Sequence, residues 1–226
     1  MTGQTGSASQ REAVIPAGAA RLQGTLALPA KAQGLVLFAH GSGSSRLSPR
    51  NTTIALQLRA SGLGTLLFDL LTETEADARG NVFDIDLLTE RLLAATEWVS
   101  RQPEAAGLKL GYFGASTGAA AALSAAAISP IEMGAVVSRG GRPDLAGDAL
   151  PRVRAPTLLL VGSTDTTVLG LNQRALERLT CFARLVVIEG AGHLFEEPGT
   201  LEEAGRLAAT WLVRHLAQQP AVGTGK

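Results

Sequence analysis

Leu110-Gly111-Tyr112-Phe113-Gly114-Ala115-Ser116-Thr117-Gly118-Ala119-Ala120-Ala121 decides the fold of this chain. A short apolar run stops at Gly114, a serine stands between two glycines, and an alanine-rich segment follows at once. The physical reading is a strand, a turn too tight for side chains, and a helix, with Ser116 at the apex. This is the G-x-S-x-G elbow, which lifts a serine hydroxyl above a sheet edge beside a helix N-terminus. Gly114 and Gly118 remove Cβ atoms where strand and helix nearly touch, and Ser116 takes a strained backbone conformation. In a chain with 26 glycines the spacing alone is a weak signal. The strand-like run before it and the helix-like run after it give it weight.

Outward from that stretch, other continuous apolar runs repeat the pattern. They are Gly34 to Ala39 (GLVLFA), Thr65 to Phe68, Ala135 to Val137, Thr157 to Val161 and Leu185 to Ile188, with the elbow run itself spanning Leu108 to Phe113. Runs without alternation suit strands covered on both faces, as in a parallel sheet between helices. Helices are expected from Ser48-Pro49 to Gly62, from Asp84 to Pro103, from Ser116, from near Leu171 and from near Pro198. In the second, Ile85, Leu88, Leu92, Ala95 and Val99 share a face; in the last, Leu201, Ala204, Ala208, Trp211 and His215 do. Before the first of these runs, Glu12 to Ile15 and Arg21 to Leu28 flank Pro16-Ala17-Gly18-Ala19, the pattern of an antiparallel hairpin. The fold class is therefore α/β: three layers, a mostly parallel sheet, an N-terminal hairpin. Only about nineteen residues separate the runs ending near Val137 and starting at Thr157, too few for a lid domain. Residues 1–10 and 218–226 are small and polar and are expected to fray, leaving 11–217 as one domain.

Composition narrows the function. Hydrophobic residues make up 46% and charged residues 18%, as in ordinary globular domains. Twenty basic residues balance twenty acidic ones, so neither nucleic acid nor an anionic membrane is an expected partner. The one cysteine, Cys181, has no partner for a disulfide or a metal site and reads as core filler. The first residues show no signal-peptide pattern and no run is long enough to span a bilayer, so a cytoplasmic location is expected. A homo-oligomer stays open.

A serine hydroxyl needs a base, and the chain has three histidines. His215 lies on the apolar face of the last helix and reads as packing. His40 ends a strand before glycines and reads as a loop brace. His193, in Glu189-Gly190-Ala191-Gly192-His193-Leu194-Phe195, follows a strand and can reach over the sheet's C-terminal edge, where open α/β folds place their ligands. The base needs an acid, and Asp165 follows another strand in Gly162-Ser163-Thr164-Asp165. Alone it would be a turn or cap residue; the order Ser116, Asp165, His193 makes it the acid, with Glu189 as the rival. Backbone N–H groups must meet the charge that develops on a substrate oxygen. Thr117 supplies one, and Ser42, in His40-Gly41-Ser42-Gly43-Ser44-Ser45, is the expected second. The same Gly41-Ser42-Gly43 stretch invites a dinucleotide reading, but Arg46 stands where the third glycine belongs and no Walker A lysine follows.

With these residues assembled, the chain resembles the α/β-hydrolase superfamily and, more narrowly, a dienelactone hydrolase family protein, from roughly Val14 to His215. The resemblance rests on the opening hairpin, HGSGSS at 40–45, the elbow at 114–118, GSTD at 162–165 and GAGH at 190–193. It implies a three-layer α/β-hydrolase fold without a lid domain. It also implies a serine hydrolase of small esters or lactones that needs no cofactor and no metal. Ser116 stands where the well-known members carry cysteine, and the glutamate and arginines they use have no identifiable counterpart, so ester chemistry is implied and a dienelactone substrate is not. Arg46, Arg50, Arg139 and Arg142 sit near predicted strand ends and invite an acidic substrate, Arg46 and Arg139 as its binding residues. The alternative is that Asp69, Asp144 or water pairs with them. Two other functions use the same scaffold: a non-catalytic small-molecule binder, or an acyltransferase.

Overall fold

In the interior strands alternate residues of each apolar run are buried on opposite faces, whereas the run at the sheet's edge, Leu185 to Ile188, is only partly buried. In the computed structural model, which describes residues 8–217, Leu35, Leu37 and Ala39 of β3 (Leu35–Ala39) enter one core while Val36 and Phe38 enter the other. The sheet has eight strands in the order β1-β2-β4-β3-β5-β6-β7-β8. Strands β1 (Ser9–Ala17) and β2 (Ala20–Leu28) form the antiparallel hairpin, and β2 pairs antiparallel with β4 (Gly64–Phe68). From β4 onward all pairings are parallel, through β3, β5 (Leu110–Ala115), β6 (Met133–Arg139), β7 (Thr157–Gly162) and β8 (Ala183–Ile188).

Helices cover both faces. On one, α1 (Pro49–Ala60) and α6 (Thr200–Leu216) bury Ile54, Leu58, Ala204, Ala208 and Trp211 against the sheet. On the other, α3 (Ile85–Ser100), α4 (Thr117–Ile128) and α5 (Thr166–Arg178) bury Leu88, Leu92, Val99 and the alanines of α4, with a four-residue helix α2 (Glu73–Ala76) leading in. Asp84 caps α3 through the Leu87 N–H at 3.0 Å, as its position in the sequence predicts. No helix among the described residues is long and apolar enough to cross a membrane.

Three boundaries differ from the sequence expectation. Ser9 and Gln10 are paired in β1 with Leu28 and Ala27. The expected fraying of 1–7 and 218–226 lies outside the described residues. Helix α5 begins at Thr166, five residues before Leu171, because the chain turns into helix directly from the loop after β7. Residues Pro143–Arg152 form a 3₁₀ stretch kinked at Gly147 (φ 50°), which has no apolar periodicity to announce it.

Candidate active site

The parallel strands end at one edge, and the chemistry-bearing residues all leave from it. Ser116 joins β5 to α4 with φ 50° and ψ −122°, a region costly for any residue but glycine. The glycines explain how it fits. A Cβ at Gly118 would stand 2.1 Å from the Ala39 carbonyl oxygen, and one at Gly114 would stand 2.5 Å from the Ala119 Cα. Helix α4 therefore starts in contact with β3 and β5, and only glycine allows it. The loop ending β6 anchors the elbow: the Ser116 N–H donates to the Arg139 carbonyl at 3.4 Å and the Arg142 N–H to the Ser116 carbonyl at 3.1 Å.

Asp165 and His193 meet because their loops are tied together. The Thr164 N–H and Oγ1 both donate to the Ala191 carbonyl, at 3.0 and 2.9 Å, and the Gly190 N–H donates to Ser163 Oγ at 2.8 Å. His193 Nδ1 then lies 2.7 Å from Asp165 Oδ2. The carboxylate side chain is 14% exposed and the imidazole 40%, so the carboxylate is tucked behind and the imidazole faces outward. Asp165 occupies the N-cap position of α5, yet its side chain makes no cap hydrogen bond because it is committed to His193. Glu189, the rival acid, accepts from Ser163 Oγ at 3.3 Å instead. Gly140 brings His193 to the elbow's anchor: a Cβ there would stand 3.0 Å from the His193 carbonyl oxygen and 3.7 Å from Nδ1. No hydrogen bond joins Ser116 Oγ to His193; such contacts commonly tighten only when substrate binds.

On the other side of the elbow, the HGSGSS loop is braced by His40. Its Nδ1 donates to the Gly41 carbonyl at 3.0 Å and its Nε2 accepts the Leu70 N–H at 3.0 Å, which fixes the neutral tautomer. Burial holds its pKa below the usual histidine range, against opposing contributions from Gly41 and Asp69. Ser42 is placed beside Thr117, but its N–H is already engaged, donating to Thr117 Oγ1 at 3.0 Å. A cleft of about 720 Å³ opens here, lined by Ser42, Thr117, Arg46, Asp69, Glu73 and Leu88 among others.

The four arginines divide. Arg46 lines the cleft, but Nε lies 3.5 Å from Asp69 Oδ2. Arg50 pairs with Glu196 at 3.2 Å and Arg142 makes two bonds to Asp144, at 2.9 and 2.8 Å. Arg139, expected at the pocket mouth, is instead 6% exposed, ends β6 on the α1 side of the sheet, and does not line the cleft. Its Nε and Nη1 have no hydrogen-bond partner, and its guanidinium lies 5.5 Å over the ring of Phe195. Burial, and secondarily Arg50, lowers its pKa to about 10. Phe195, two residues after His193, is itself buried with φ 56°. The reading of the residues missed this contact and the double bond from Thr164; a threonine inside GSTD was the one available sign of the latter.

No family model matches the chain. Two Mycobacterium tuberculosis proteins, provisionally named phosphoribosyl transferases, are 56% identical over 205 residues, 91% of this chain and 46% of theirs. The chain thus spans about half the length of the curated relatives it matches. Among solved structures, the esterase Est1E from Butyrivibrio proteoclasticus superimposes with a TM-score of 0.77 at 14% identity, over 90% of this chain and 98% of its own, a likeness of fold. Dienelactone hydrolase from Anabaena variabilis superimposes with a TM-score of 0.90 at 52% identity, over 93% of this chain and 99% of its own. At that identity and coverage, the chain belongs to the dienelactone hydrolase family of the α/β-hydrolases.

Proposed function

We propose that this chain hydrolyses a small carboxylic ester or lactone through an acyl-enzyme on Ser116. The observation that carries the reading is the 2.7 Å bond between His193 Nδ1 and Asp165 Oδ2, on a loop packed against the segment that anchors the strained serine. With Nδ1–H held by the carboxylate, Nε2 is the free acceptor, the tautomer a general base requires. His193 takes the Ser116 proton as Oγ attacks the carbonyl carbon, and Asp165 supports the imidazolium. The imidazolium then protonates the leaving alkoxide, and water attacks the acyl-enzyme by the same route.

The strand order supports a side for each part of the substrate. The nucleophile follows β5, the oxyanion loop follows β3, and the base follows β8. The carbonyl oxygen therefore points toward Ser42 and Thr117, and the leaving group lies over the β6 to β8 side, near His193. The acyl chain extends into the cleft on the β3 and β4 side. The Arg46 charge in that cleft is met by Asp69, so it contributes a hydrogen-bond donor to the acyl group more than an unpaired charge. The phosphoribosyl transferase name belongs to proteins about twice this length, of which this chain matches 46%.

Initial rates on an aryl acetate test the reading. Ser116→Ala is expected to lower kcat by about 10⁴-fold or more. Rates in Ser116→Ala equal to those of the parent would remove the serine from the mechanism. Succinyl and butanoyl esters of one phenol then test Arg46: a preference for the charged ester that Arg46→Met abolishes gives it the carboxylate role, and equal turnover denies it.

A further inference from the structure

The bond between the Ser42 N–H and Thr117 Oγ1 changes what the oxyanion would meet. The sequence reading assigns two backbone donors, Ser42 and Thr117. In the structure the first of these is spent on a side chain at 3.0 Å. Thr117 is 3% exposed, is the first residue of α4, and lines the cleft beside Ser42. A hydroxyl carries one donor and two acceptor sites. Here one acceptor site holds the Ser42 N–H, and among the described residues no acceptor takes the Thr117 hydroxyl proton. Among the described residues no hydrogen bond takes the Thr117 N–H, which belongs to the unpaired first-turn amides of the helix N-terminus.

We propose that Thr117 is a double oxyanion donor, giving both its backbone N–H and its side-chain O–H to the developing charge. The Ser42 N–H acts one step behind, fixing and polarising that hydroxyl. This rests on the hydrolase reading above. Hydrogen bonds in a chain strengthen one another, so a hydroxyl that accepts a backbone N–H is a better donor than a free one. The arrangement needs no movement at the moment of reaction, which is what preorganised stabilisation requires. It gives a role to a buried β-branched hydroxyl at the start of a helix rich in alanine.

Thr117→Val separates this from the two-amide reading because the two predict opposite signs. Valine keeps the shape and removes the hydroxyl, which also frees the Ser42 N–H. If Thr117 Oγ–H is the donor, kcat on an aryl acetate falls about 10² to 10³-fold while KM changes little, and Thr117→Ser restores kcat to within about tenfold of the parent. If the Ser42 N–H is the donor, Thr117→Val keeps or raises kcat, and the proposal is overturned. Equal losses in the valine and serine variants also overturn it, because a packing defect would explain both. Ser116→Ala, run alongside, keeps the two levels apart. Parent-like rates in Thr117→Val with loss in Ser116→Ala refute only the hydroxyl's role. Parent-like rates in both refute the hydrolase reading as well. Should Thr117→Val fail to fold, Thr117→Ala carries the same expectation and the same refutation.

Discussion

Replacing Arg139 with methionine is expected to make the protein more stable and a poorer catalyst. The guanidinium is 6% exposed, with Nε and Nη1 unpartnered and no carboxylate paired with it. A charge held that way costs the fold free energy, and the same burial lowers its pKa to about 10. At about 1.4 kcal/mol for each tenfold change in proton affinity, the lowering corresponds to about 3 kcal/mol, taken as an order of magnitude. The contact with Phe195, 5.5 Å from guanidinium carbon to ring centroid, returns up to about 2 kcal/mol. Methionine fills similar volume without the charge, so a net gain of about 1–3 kcal/mol is expected, in the range seen when buried charges give way to apolar residues. For a chain of this size that is a rise in Tm of about 2–12 °C. Urea unfolding followed by the fluorescence of Trp98 and Trp211 measures the change. Activity should move the other way, by about tenfold in kcat, because the guanidinium packs over the ring of Phe195, two residues after His193 and at φ 56°. A variant destabilised by 1 kcal/mol or more would refute the reasoning, since it would show that Arg139 is compensated by a partner in solution.

Asp165→Asn should keep the fold and lower kcat by about 10⁴-fold, since an amide no longer fixes the His193 tautomer; a loss under tenfold, measured on an aryl acetate, would place the acid elsewhere. Gly118→Ala should destabilise by more than about 3 kcal/mol or prevent folding, because its Cβ would lie 2.1 Å from the Ala39 carbonyl and 2.5 Å from that of His40, and thermal melting reads it directly. His40 is held neutral by burial, with its pKa below the ordinary value near 6.5, so its share of stability is complete above that value and lost as pH falls toward the folded pKa. His40→Gln should flatten that acid limb in a pH series of unfolding midpoints.

Most of the sheet was legible because burial on both faces leaves a continuous apolar run, while the edge strand β8 kept an apolar run that is only partly buried. The start of α5 was not legible. Asp165 stands at its N-cap position, but the residue order that makes it the acid sets its local cap signal aside, and its side chain is indeed given to His193 rather than to a cap hydrogen bond. The 3₁₀ stretch from Pro143 was invisible for another reason: Gly147 and Pro151 break any period. At the site, residue order and loop glycines identified Ser116, Asp165 and His193 as candidates, because each requirement has a local signature. The arginines had none. Whether Arg46 meets Asp69, or Arg139 meets only a ring, depends on residues 23 and 56 positions away. The same holds for the Ser42 N–H, whose partner Thr117 is 75 residues along the chain.

In the proposed mechanism Ser116 is a nucleophile activated by His193, and reaction with a fluorophosphonate followed by mass spectrometry of the digested protein reads that activation. One adduct per chain is expected, on Ser116, formed much more slowly in His193→Ala. An unlabelled Ser116, or labelling at the same rate without His193, would remove His193 as the activating base.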